Sequence, residues 1–274
     1  MSEWDIYSGV HDAATNLAID EYLLEETSDK RNKVFRIYDF EKPSVILARM
    51  ESYKDINGVK EGVDYSRRDT GGSVIYCDNN AMFYSIILPT GKNRFPEELH
   101  RNYFGPKIAR VLDRAGVEKE KLGIGEHFSV RINGKTVSGN SQRKKKDAVL
   151  YHGVLALEPW DVEKLDSLIK LREKEGELEK DFIEELPGIK EHCDTSYNEL
   201  KKIFVEEVTE GDYSNRRIGK EQYEEIERLV NNKYGNEDWI RTGGNEEALK
   251  EDRGFCFVDW TDEWNEDVEK YGFY

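Results

Sequence analysis

Two segments of the chain combine cationic side chains with glycines, and they lie about sixty positions apart. The first reads RRDTGGSVIYCD from Arg67 to Asp78, and the second reads INGKTVSGNSQRKKK from Ile132 to Lys146. Arginine presents a planar fork of N–H donors to an oxoanion, and glycine lets backbone N–H groups approach a ligand because it has no Cβ. Together the two segments predict a site for a phosphate-bearing ligand derived from a carboxylate.

The composition excludes several classes of protein. The 274 residues are 37% hydrophobic, which suffices for one large domain with a sizeable core, alone or with a small appendage. A formal net charge of -16 argues against a general nucleic-acid binder, which needs a surplus of Lys and Arg. No apolar run approaches the roughly 20 residues of a membrane span, and the first residues lack the features of a signal peptide. We therefore expect a cytoplasmic protein with no nucleic-acid or membrane partner.

Hydrophobic periodicity predicts a mixed order of helices and strands. Runs rich in β-branched and aromatic residues, typical of strands, begin at Trp4, Val34, Ser44, Ser73, Met82, Phe128, Lys135 and Val149. Helices are predicted at 12–26, from Pro96 to a stop at Gly116, and near 161–171, 199–208 and 220–232. This order predicts an α+β domain with largely antiparallel, mixed sheets flanked by helices.

The second segment contains a hairpin signal. Asn133-Gly134 predicts a tight turn of the primed type, with Lys135 and Val137 on one face of the return strand and a turn over SGNSQ at 138–142. A lysine at the start of a strand is most often a solvated charge at the edge of a sheet. The position of Lys135 beside this glycine-bearing turn makes a ligand contact an equally good interpretation. The four cations at 143–146 are interpreted as a solvated loop, with attraction of an acidic partner as the alternative.

The combined motifs resemble the lipoate-protein ligase A branch of the biotin and lipoyl ligase superfamily. The matching stretches are RR-x-TGG before a strand and an Asp, NGK-x-x-SG-x-x-Q, HG before an apolar strand, NLAIDEYLL and RIYDFEKPSVILAR. The resemblance extends from about Trp4 to Trp239 and implies a biotin/lipoyl ligase-like catalytic domain, which we place at residues 1–243. An acidic, aromatic-rich C-terminal extension is predicted at residues 244–274.

The resemblance implies an ATP-dependent lipoate-protein ligase. The carboxylate of lipoate or octanoate would attack the α-phosphate of ATP, with Mg2+ screening the triphosphate, and a lysine of an acceptor protein would then take the acyl group. The implied partner is a lipoyl-acceptor domain or carrier protein. A separately encoded accessory subunit stays open, because the chain is too short after Trp239 for the accessory domain of larger ligases.

The resemblance also implies a role for each matching residue. Lys135 would be the catalytic residue, in contact with the acyl carbonyl and the phosphate of the adenylate. The adenylate- and phosphate-binding residues would be Arg67, Arg68, Gly71, Gly72, Ser73, Tyr76, Asp78 and Asn80. The lipoyl-binding residues would be Ser138, Gly139, Gln142, His152 and Gly153. For His152 we favour a packed, positioning role over that of a catalytic base. Ser73 replaces a glycine of the family pattern, which a negative φ would allow.

Two other functions stay open. The first is an octanoyl or lipoyl transferase, which would pass the acyl group through a cysteine thioester without ATP. The loop at 122–129, where one transferase branch has its nucleophile, contains no cysteine, and we interpret Cys77 and Cys193 as small buried side chains. With Cys256 they make an odd number without metal-ligand spacing, so neither a disulfide framework nor a metal site is predicted. The second alternative is a non-catalytic lipoate-binding or scaffold protein of the same fold.

Overall fold

A computed structural model describes residues 2–90, 96–125, 128–170, 173–174, 177–178 and 187–244. Its main sheet consists of β1 Trp4–His11, β2 Lys33–Phe40, β6 Ala81–Pro89, β7 Leu122–Ile124, β8 Val130–Ile132, β9 Lys135–Lys145, β10 Ala148–Ala156 and β13 Tyr213–Asn215. The other strands are β3 Ser44–Leu47, β4 Asp64–Arg67, β5 Ile75–Cys77, β11 Glu173–Lys174 and β12 Glu177–Leu178. The helices are α1 Ala13–Lys30, α2 Pro96–Leu99, α3 Gly105–Arg114, α4 Val162–Leu168, α5 Tyr197–Thr209, α6 Lys220–Leu229 and α7 Glu237–Thr242. A π-helical stretch at His100–Phe104 connects α2 to α3, and another at Val230–Tyr234 follows α6.

The strand order confirms the predicted α+β class. The eight-stranded sheet has the order β13-β1-β2-β6-β10-β9-β8-β7, and the three-stranded sheet has the order β4-β3-β5. From β2 to β7 every neighbouring pair in the main sheet is antiparallel, whereas β1 is parallel to both β2 and β13. Antiparallel neighbours can be joined by short hairpins, so β8, β9 and β10 follow one another directly in the chain.

The main sheet buries both of its faces. On one face, Phe83 and Leu150 pack with α1, and we call this the α1 face. On the other, Tyr84 and Tyr151 pack with α3 and α5, and we call this the α3 face. Because side chains alternate along a strand, neighbouring residues of one strand lie on opposite faces. This alternation decides which predicted site residues can meet.

The local signals for α1 and for the hairpin are confirmed. Asp12 caps α1 by accepting from the N–H of Thr15 at 2.7 Å, and the helix continues to Lys30. Asn133 and Gly134 both have positive φ, at 52° and 80°, as a primed turn requires. In the described ranges, no helix combines the length and the apolar composition that crossing a membrane requires.

Two predictions for the second segment are wrong, because β9 is longer than expected. Residues 138–145 pair continuously with β10, so neither the turn at 138–142 nor the loop beginning at Arg143 forms. The lysine at 145 is held by Glu21 and Glu25 of α1, and so the cations are partly paired. A register shift against β8 makes Val137 an extra residue, which breaks the simple alternation after Lys135. The predicted C-terminal extension lies outside the described residues beyond Gly244.

Candidate functional site

Arg67 ends β4, and its guanidinium is surrounded by backbone carbonyls. It donates to the carbonyl of Ala48 at 2.6 Å, of Glu51 at 2.7 Å and of Ile240 at 2.8 Å. Two longer bonds, at 3.2 and 3.3 Å, reach the carbonyls of residues 49 and 241. Burial lowers the pKa of Arg67 to about 10, so that the group stays charged at neutral pH. The contacts tie the 48–51 loop to α7 and favour a structural role over the predicted phosphate contact.

Arg68 shapes the loop that follows, residues 69–74, which we call the glycine loop. Its Nη2 donates to the carbonyls of Gly71 at 2.7 Å and Ser73 at 2.6 Å, and Nη1 donates to that of Ile46 at 3.3 Å. Gly72 has a φ of +92°, and a Cβ there would lie 3.0 Å from Arg68 Nη2. Glycine is therefore required at position 72, whereas Ser73 has no positive φ and is accommodated as expected.

A buried chain of hydrogen bonds runs beneath the glycine loop. Thr70 Oγ1 lies 2.8 Å from His152 Nε2, and His152 Nδ1 lies 3.2 Å from Asp20 Oδ2. Asp20 Oδ2 also accepts from Ser85 Oγ at 2.7 Å, and Arg36 pairs with Oδ1. Burial alone would raise the pKa of Asp20, but the Arg36 guanidinium and the hydrogen bonds from His152 and Ser85 lower it below its usual value. Asp20 is thus a carboxylate held inside the protein.

A small cleft that is open to solvent lies between α1 and the glycine loop. Its apolar wall is formed by Leu17 and Leu24 of α1 and by Leu150 of β10. Thr70 and His152 line the polar side, and Arg68 and Asp69 also border the space. An apolar wall beside convergent polar groups suits an acyl chain that ends in a polar group.

Three cations meet one carboxylate at this cleft. Arg49, Arg143 and Lys233 all pair with Asp69, whose side chain is only 5% exposed. We call these three cations and Asp69 the cation cluster. Glu21 also pairs with Lys233, so the three cations exceed the two neighbouring carboxylates, Asp69 and Glu21, by one formal charge. Such a local excess favours the approach of an anion.

Glu21 links the cation cluster to α1. Its carboxylate accepts from Lys233 at 2.7 Å and from the hydroxyl of Tyr234 at 2.6 Å. Burial alone would raise the pKa of Glu21, but these two hydrogen bonds and the charges of Lys233 and Lys145 lower it to about 2. The residues just before α7 are therefore fastened to the cleft wall through charged groups.

The sheet separates the residues predicted to bind the lipoyl group. Ser138 and Gln142 lie on the α3 face, where Ser138 Oγ is 3.1 Å from the hydroxyl of Tyr84 and Gln142 is paired in register with Tyr151. His152 lies on the α1 face with Asp20 and Thr70. A single lipoyl-binding surface made from the side chains of Ser138, Gln142 and His152 does not fit this arrangement. The amide N and O of Gln142 are buried without a hydrogen-bond partner among the described residues.

The two remaining glycines of the predicted lipoyl set differ from each other. A Cβ on Gly153 would lie 1.9 Å from Asn140 Oδ1, because the Asn140 side chain crosses directly over the glycine. A Cβ on Gly139 would meet nothing within 4 Å. Gly153 is therefore required by packing, whereas Gly139 borders open space.

The last three residues of the predicted adenylate-binding set, Tyr76, Asp78 and Asn80, are also divided. Asp78 and Asn80 form a tight turn, in which the N–H of Asn80 donates to Asp78 Oδ1 at 2.8 Å. Both border a shallow groove that also contains Trp160. Tyr76 is 6% exposed and packs in the core of the small sheet with Leu47. The turn thus brings Asp78 and Asn80 together at the surface and leaves Tyr76 inside.

Lys135 lies exposed where β9 begins, at the tip of the hairpin. Six residues further along β9, the hydroxyl of Ser141 donates to the carbonyl of Gly71 at 3.0 Å. A strand rises about 3.3 Å per residue and Val137 is an extra residue in the bulge, so Lys135 and the glycine loop are anchored at points about 16 Å apart along β9. A ligand that meets both would be an extended one.

The described cysteines lie in unreactive surroundings. Burial raises the pKa of the Cys77 thiol well above its usual value, and this residue is 1% exposed. Burial also raises the pKa of Cys193, which lies 3.6 Å from the carbonyl of Ile189 on the α3 side. The thiolate is the nucleophile in thioester chemistry, and these surroundings disfavour the thiolate form of both cysteines. Cys256 lies outside the described residues.

Protein ligands for a metal ion are not gathered in the part of the chain that the structure describes. No group of three or more His, Cys, Asp or Glu side chains is placed there to hold an ion. Asp69, the acidic residue of the glycine loop, is already paired with cations. These residues do not fit a protein-held Mg2+ at the loop.

Sequence reasoning missed Asp20, Thr70 and the cation cluster. A signal for Asp20 exists, since Leu17, Asp20 and Leu24 follow the spacing of one helix face and a carboxylate on an apolar face demands a partner. The cation cluster has no comparable signal, because its members come from distant parts of the chain.

Comparison with known proteins gives relatives of two activities. The octanoyltransferase LipM of Clostridioides difficile (strain 630) is 28% identical, over 87% of this chain and 98% of that protein. Lipoate--protein ligase 1 of Staphylococcus aureus (strain Mu50) is 24% identical, over 85% of this chain and 71% of that protein.

Solved structures share the fold. A bi-partite lipoate protein ligase from Thermoplasma acidophilum, studied with its E2 lipoyl domain, has a TM-score of 0.74 at 19% identity and covers 88% of this chain and 96% of its own. A lipoate-protein ligase A bound with ATP has a TM-score of 0.74 at 17% identity, over 88% of this chain and 99% of its own. At such identities the likeness concerns the fold alone.

Residues 12–209, well over half of the chain, match the family described as the lipoyl protein ligase A/B catalytic domain. The resemblance seen in the sequence motifs is confirmed by this match. The chain belongs to the lipoyl protein ligase A/B catalytic domain family, whose relatives here include both lipoate ligases and octanoyltransferases.

Proposed function

We propose that the protein is an ATP-dependent lipoate-protein ligase that activates lipoate or octanoate as the acyl-adenylate. The observation that carries this proposal is the cleft beside α1, which joins an apolar wall to the positively charged cation cluster. No described cysteine lines this cleft. The cleft therefore has the chemistry to hold an acyl chain next to an anion, and it lacks a described thiol for a thioester.

The acyl chain would lie along Leu17, Leu24 and Leu150, with its carboxylate toward the glycine loop. The cation cluster would attract the phosphates, since fixed cations stabilise the charge that grows when a carboxylate attacks the α-phosphate. Lys135 could donate to the acyl carbonyl and the phosphate, as a charge-assisted donor, only if the hairpin tip moved toward the glycine loop, because β9 separates their anchor points. The exposure of Lys135 and the length of β9 leave room for an extended ligand between the two ends of the site.

The second step would transfer the acyl group to an acceptor. The amine of a lysine on a lipoyl-acceptor domain or carrier protein would attack the carbonyl of the mixed anhydride, and AMP would leave. The bi-partite ligase of T. acidophilum makes a separate accessory subunit part of the proposal. Mg2+ would be held by the phosphates of ATP rather than by the glycine loop, so no step is assigned to a protein-bound ion. Such a reaction would take place in the cytoplasm.

A second candidate function is an octanoyltransferase that works without ATP. The observation in its favour is length: the matched region spans 98% of the C. difficile transferase but 71% of the S. aureus ligase. Such an enzyme would need a thiolate, and the surroundings of Cys77 and Cys193 disfavour one. We therefore rank the ligase first and keep the transferase, and a non-catalytic lipoate-binding protein, as outcomes of the test.

The test compares two acyl donors on one apo-acceptor protein. The full chain is incubated either with ATP, Mg2+ and lipoate or octanoate, or with an octanoyl thioester of a carrier protein and no ATP. Mass spectrometry of the acceptor reports acylation, and radiolabelled ATP reports bound adenylate. We expect acylation with ATP, both in the natural chain and in a Cys77→Ala, Cys193→Ala, Cys256→Ala variant.

Two results would contradict the ligase. Acylation only from the thioester, lost in the cysteine-free variant, would identify the transferase. No acylation from either donor, with no bound adenylate, would favour the non-catalytic alternative. Thermal unfolding of the cysteine-free variant serves as the control that the fold is intact.

A further inference from the structure

Asp20 is a charged residue in the interior that the proposed reaction leaves without a role. It is 2% exposed and lies on the face of α1 that packs against the sheet. Arg36 engages one carboxylate oxygen, and it is itself held by the carbonyl and the side-chain oxygen of Asn16, both at 3.1 Å. The orientation of the carboxylate is thereby set, and its second oxygen is directed to Ser85 and His152.

The charge of Asp20 determines the tautomer of His152. A carboxylate can only accept hydrogen bonds, so the Nδ1 atom of His152 facing it must carry the proton. If the imidazole is neutral, the other nitrogen, Nε2, is then an acceptor. Thr70 Oγ1, at 2.8 Å, donates to Nε2 in that state. The charge of Asp20 and a neutral His152 together set the direction of every hydrogen bond from Asp20 to the glycine loop.

The glycine loop is held near its start by the hydrogen bonds from Asp20 through His152 to Thr70, and further along by two other contacts. Thr70 is the residue before Gly71, whose carbonyl accepts from Arg68 and from Ser141. His152 belongs to β10 and Ser141 to the paired position of β9, so the loop is attached to two neighbouring strands of the rigid sheet. Its backbone position over the cleft therefore depends on side chains of the α1 face.

We propose that Asp20 is a positioning residue that fixes the Nδ1–H tautomer of His152. In this tautomer His152 accepts a hydrogen bond from Thr70 and so holds the glycine loop over the cleft beside α1. The inference rests on the proposed function only in that the loop is taken to cover the acyl ligand. Asp20 borders the cleft, but Arg36, Ser85 and His152 engage its carboxylate oxygens, so its proposed effect on the loop passes through His152.

The first experiment measures the tautomer and needs no activity. The full chain is labelled with 15N at its five histidines, and His152 is assigned by comparison with His152→Gln. We expect a protonated Nδ1 and an unprotonated, hydrogen-bonded Nε2 at neutral pH. A protonated Nε2, with or without a proton on Nδ1, would overturn the proposal. This arm gives its answer whether the protein is a ligase, a transferase or neither.

The second experiment tests coupling through whichever acylation the chain performs. Thr70→Val removes the hydroxyl at nearly constant shape, and Asp20→Asn removes the charge. Loss of one hydrogen bond corresponds to about 3- to 10-fold in rate, and we expect each variant to lose about that factor. The acylation rate of the double variant should be no lower than that of the less active single variant, because both substitutions break the same chain of hydrogen bonds. Thr70→Ser should recover most of the rate.

Ser85→Ala is the matched control, since it removes the other hydrogen bond to the same oxygen of Asp20. We expect its acylation rate to stay within about 2-fold. Equal losses in Ser85→Ala and Asp20→Asn, or losses that multiply in the double variant, would show a merely structural role and overturn the proposal. If Asp20→Asn does not fold, Thr70→Val decides: the proposal requires its His152 to keep the Nδ1–H tautomer while the rate falls.

Discussion

Arg67, the first arginine of the RR pair, is expected to stabilise the fold. Arg67 donates to five backbone carbonyls, whereas a lysine offers three N–H donors, so Arg67→Lys leaves at least two carbonyls without this partner. Each buried carbonyl left unsatisfied costs roughly 1 to 3 kcal/mol. We therefore expect Arg67→Lys to lower the free energy of unfolding by about 2 to 6 kcal/mol. The damage should concentrate where the 48–51 loop meets α7.

Urea unfolding at pH 7, followed by tryptophan fluorescence, measures this loss. The matched control is Arg228→Lys on α6, an arginine whose side chain is 66% exposed, which should change stability by less than about 0.5 kcal/mol. Ligand affinity is measured on the folded fraction at low temperature. A variant that keeps its stability within about 0.5 kcal/mol but loses affinity for ATP or the acyl-adenylate would refute the reasoning and restore Arg67 as a phosphate ligand.

Three further predictions concern the cleft, the sheet and the hairpin. Because the pKa of Glu21 falls from 4.5 to about 2, its carboxylate stabilises the fold fully above pH 4.5 and loses this effect as the pH falls toward 2. Glu21→Gln should therefore lower the free energy of unfolding by up to about 3 kcal/mol at pH 7 and by nearly nothing at pH 2, as urea titrations at the two pH values would measure. Gly153→Ala should lower the free energy of unfolding by about 2 kcal/mol or more, since the new Cβ meets the Asn140 side chain. Gly139→Ala should be tolerated, because its Cβ meets nothing within 4 Å, and equal melting temperatures of the two variants would contradict this expectation. Lys135→Ala should slow ATP-dependent acylation about 100-fold with an unchanged melting temperature, because the side chain is exposed, and acylation at the natural rate would remove Lys135 from the mechanism.

The parts of the fold predicted from sequence are those with local causes. The Asn133-Gly134 turn forms because both residues tolerate positive φ, and the helix predicted at 12–26 forms as α1 because its apolar residues recur at helical spacing. Each of these signals involves a few consecutive residues, and no distant partner is needed to satisfy it.

The parts that were missed depend on partners far away in the chain. β4 was not predicted, because DYSR has little apolar alternation and becomes a strand only by pairing in parallel with β3. The cations from Arg143 were interpreted as a loop for the same reason, since their ladder with β10 and their acidic partners on α1 are tertiary features. The division of Ser138 and Gln142 from His152 follows from strand register, which a motif pattern does not contain.

The acidic composition of the chain and the proposed attraction for phosphates would act at different distances. A net charge of -16 repels an anionic ligand in the bulk, but at physiological salt this repulsion is screened beyond about 8 Å. Inside that distance a ligand would meet the cation cluster, in which Arg49, Arg143 and Lys233 outnumber the neighbouring carboxylates of Asp69 and Glu21 by one. Asp69 keeps these cations together before a ligand arrives, since its carboxylate offsets their mutual repulsion. The proposed affinity for phosphate would therefore be a property of the folded site, and we expect it to fall when any one of the three cations is removed.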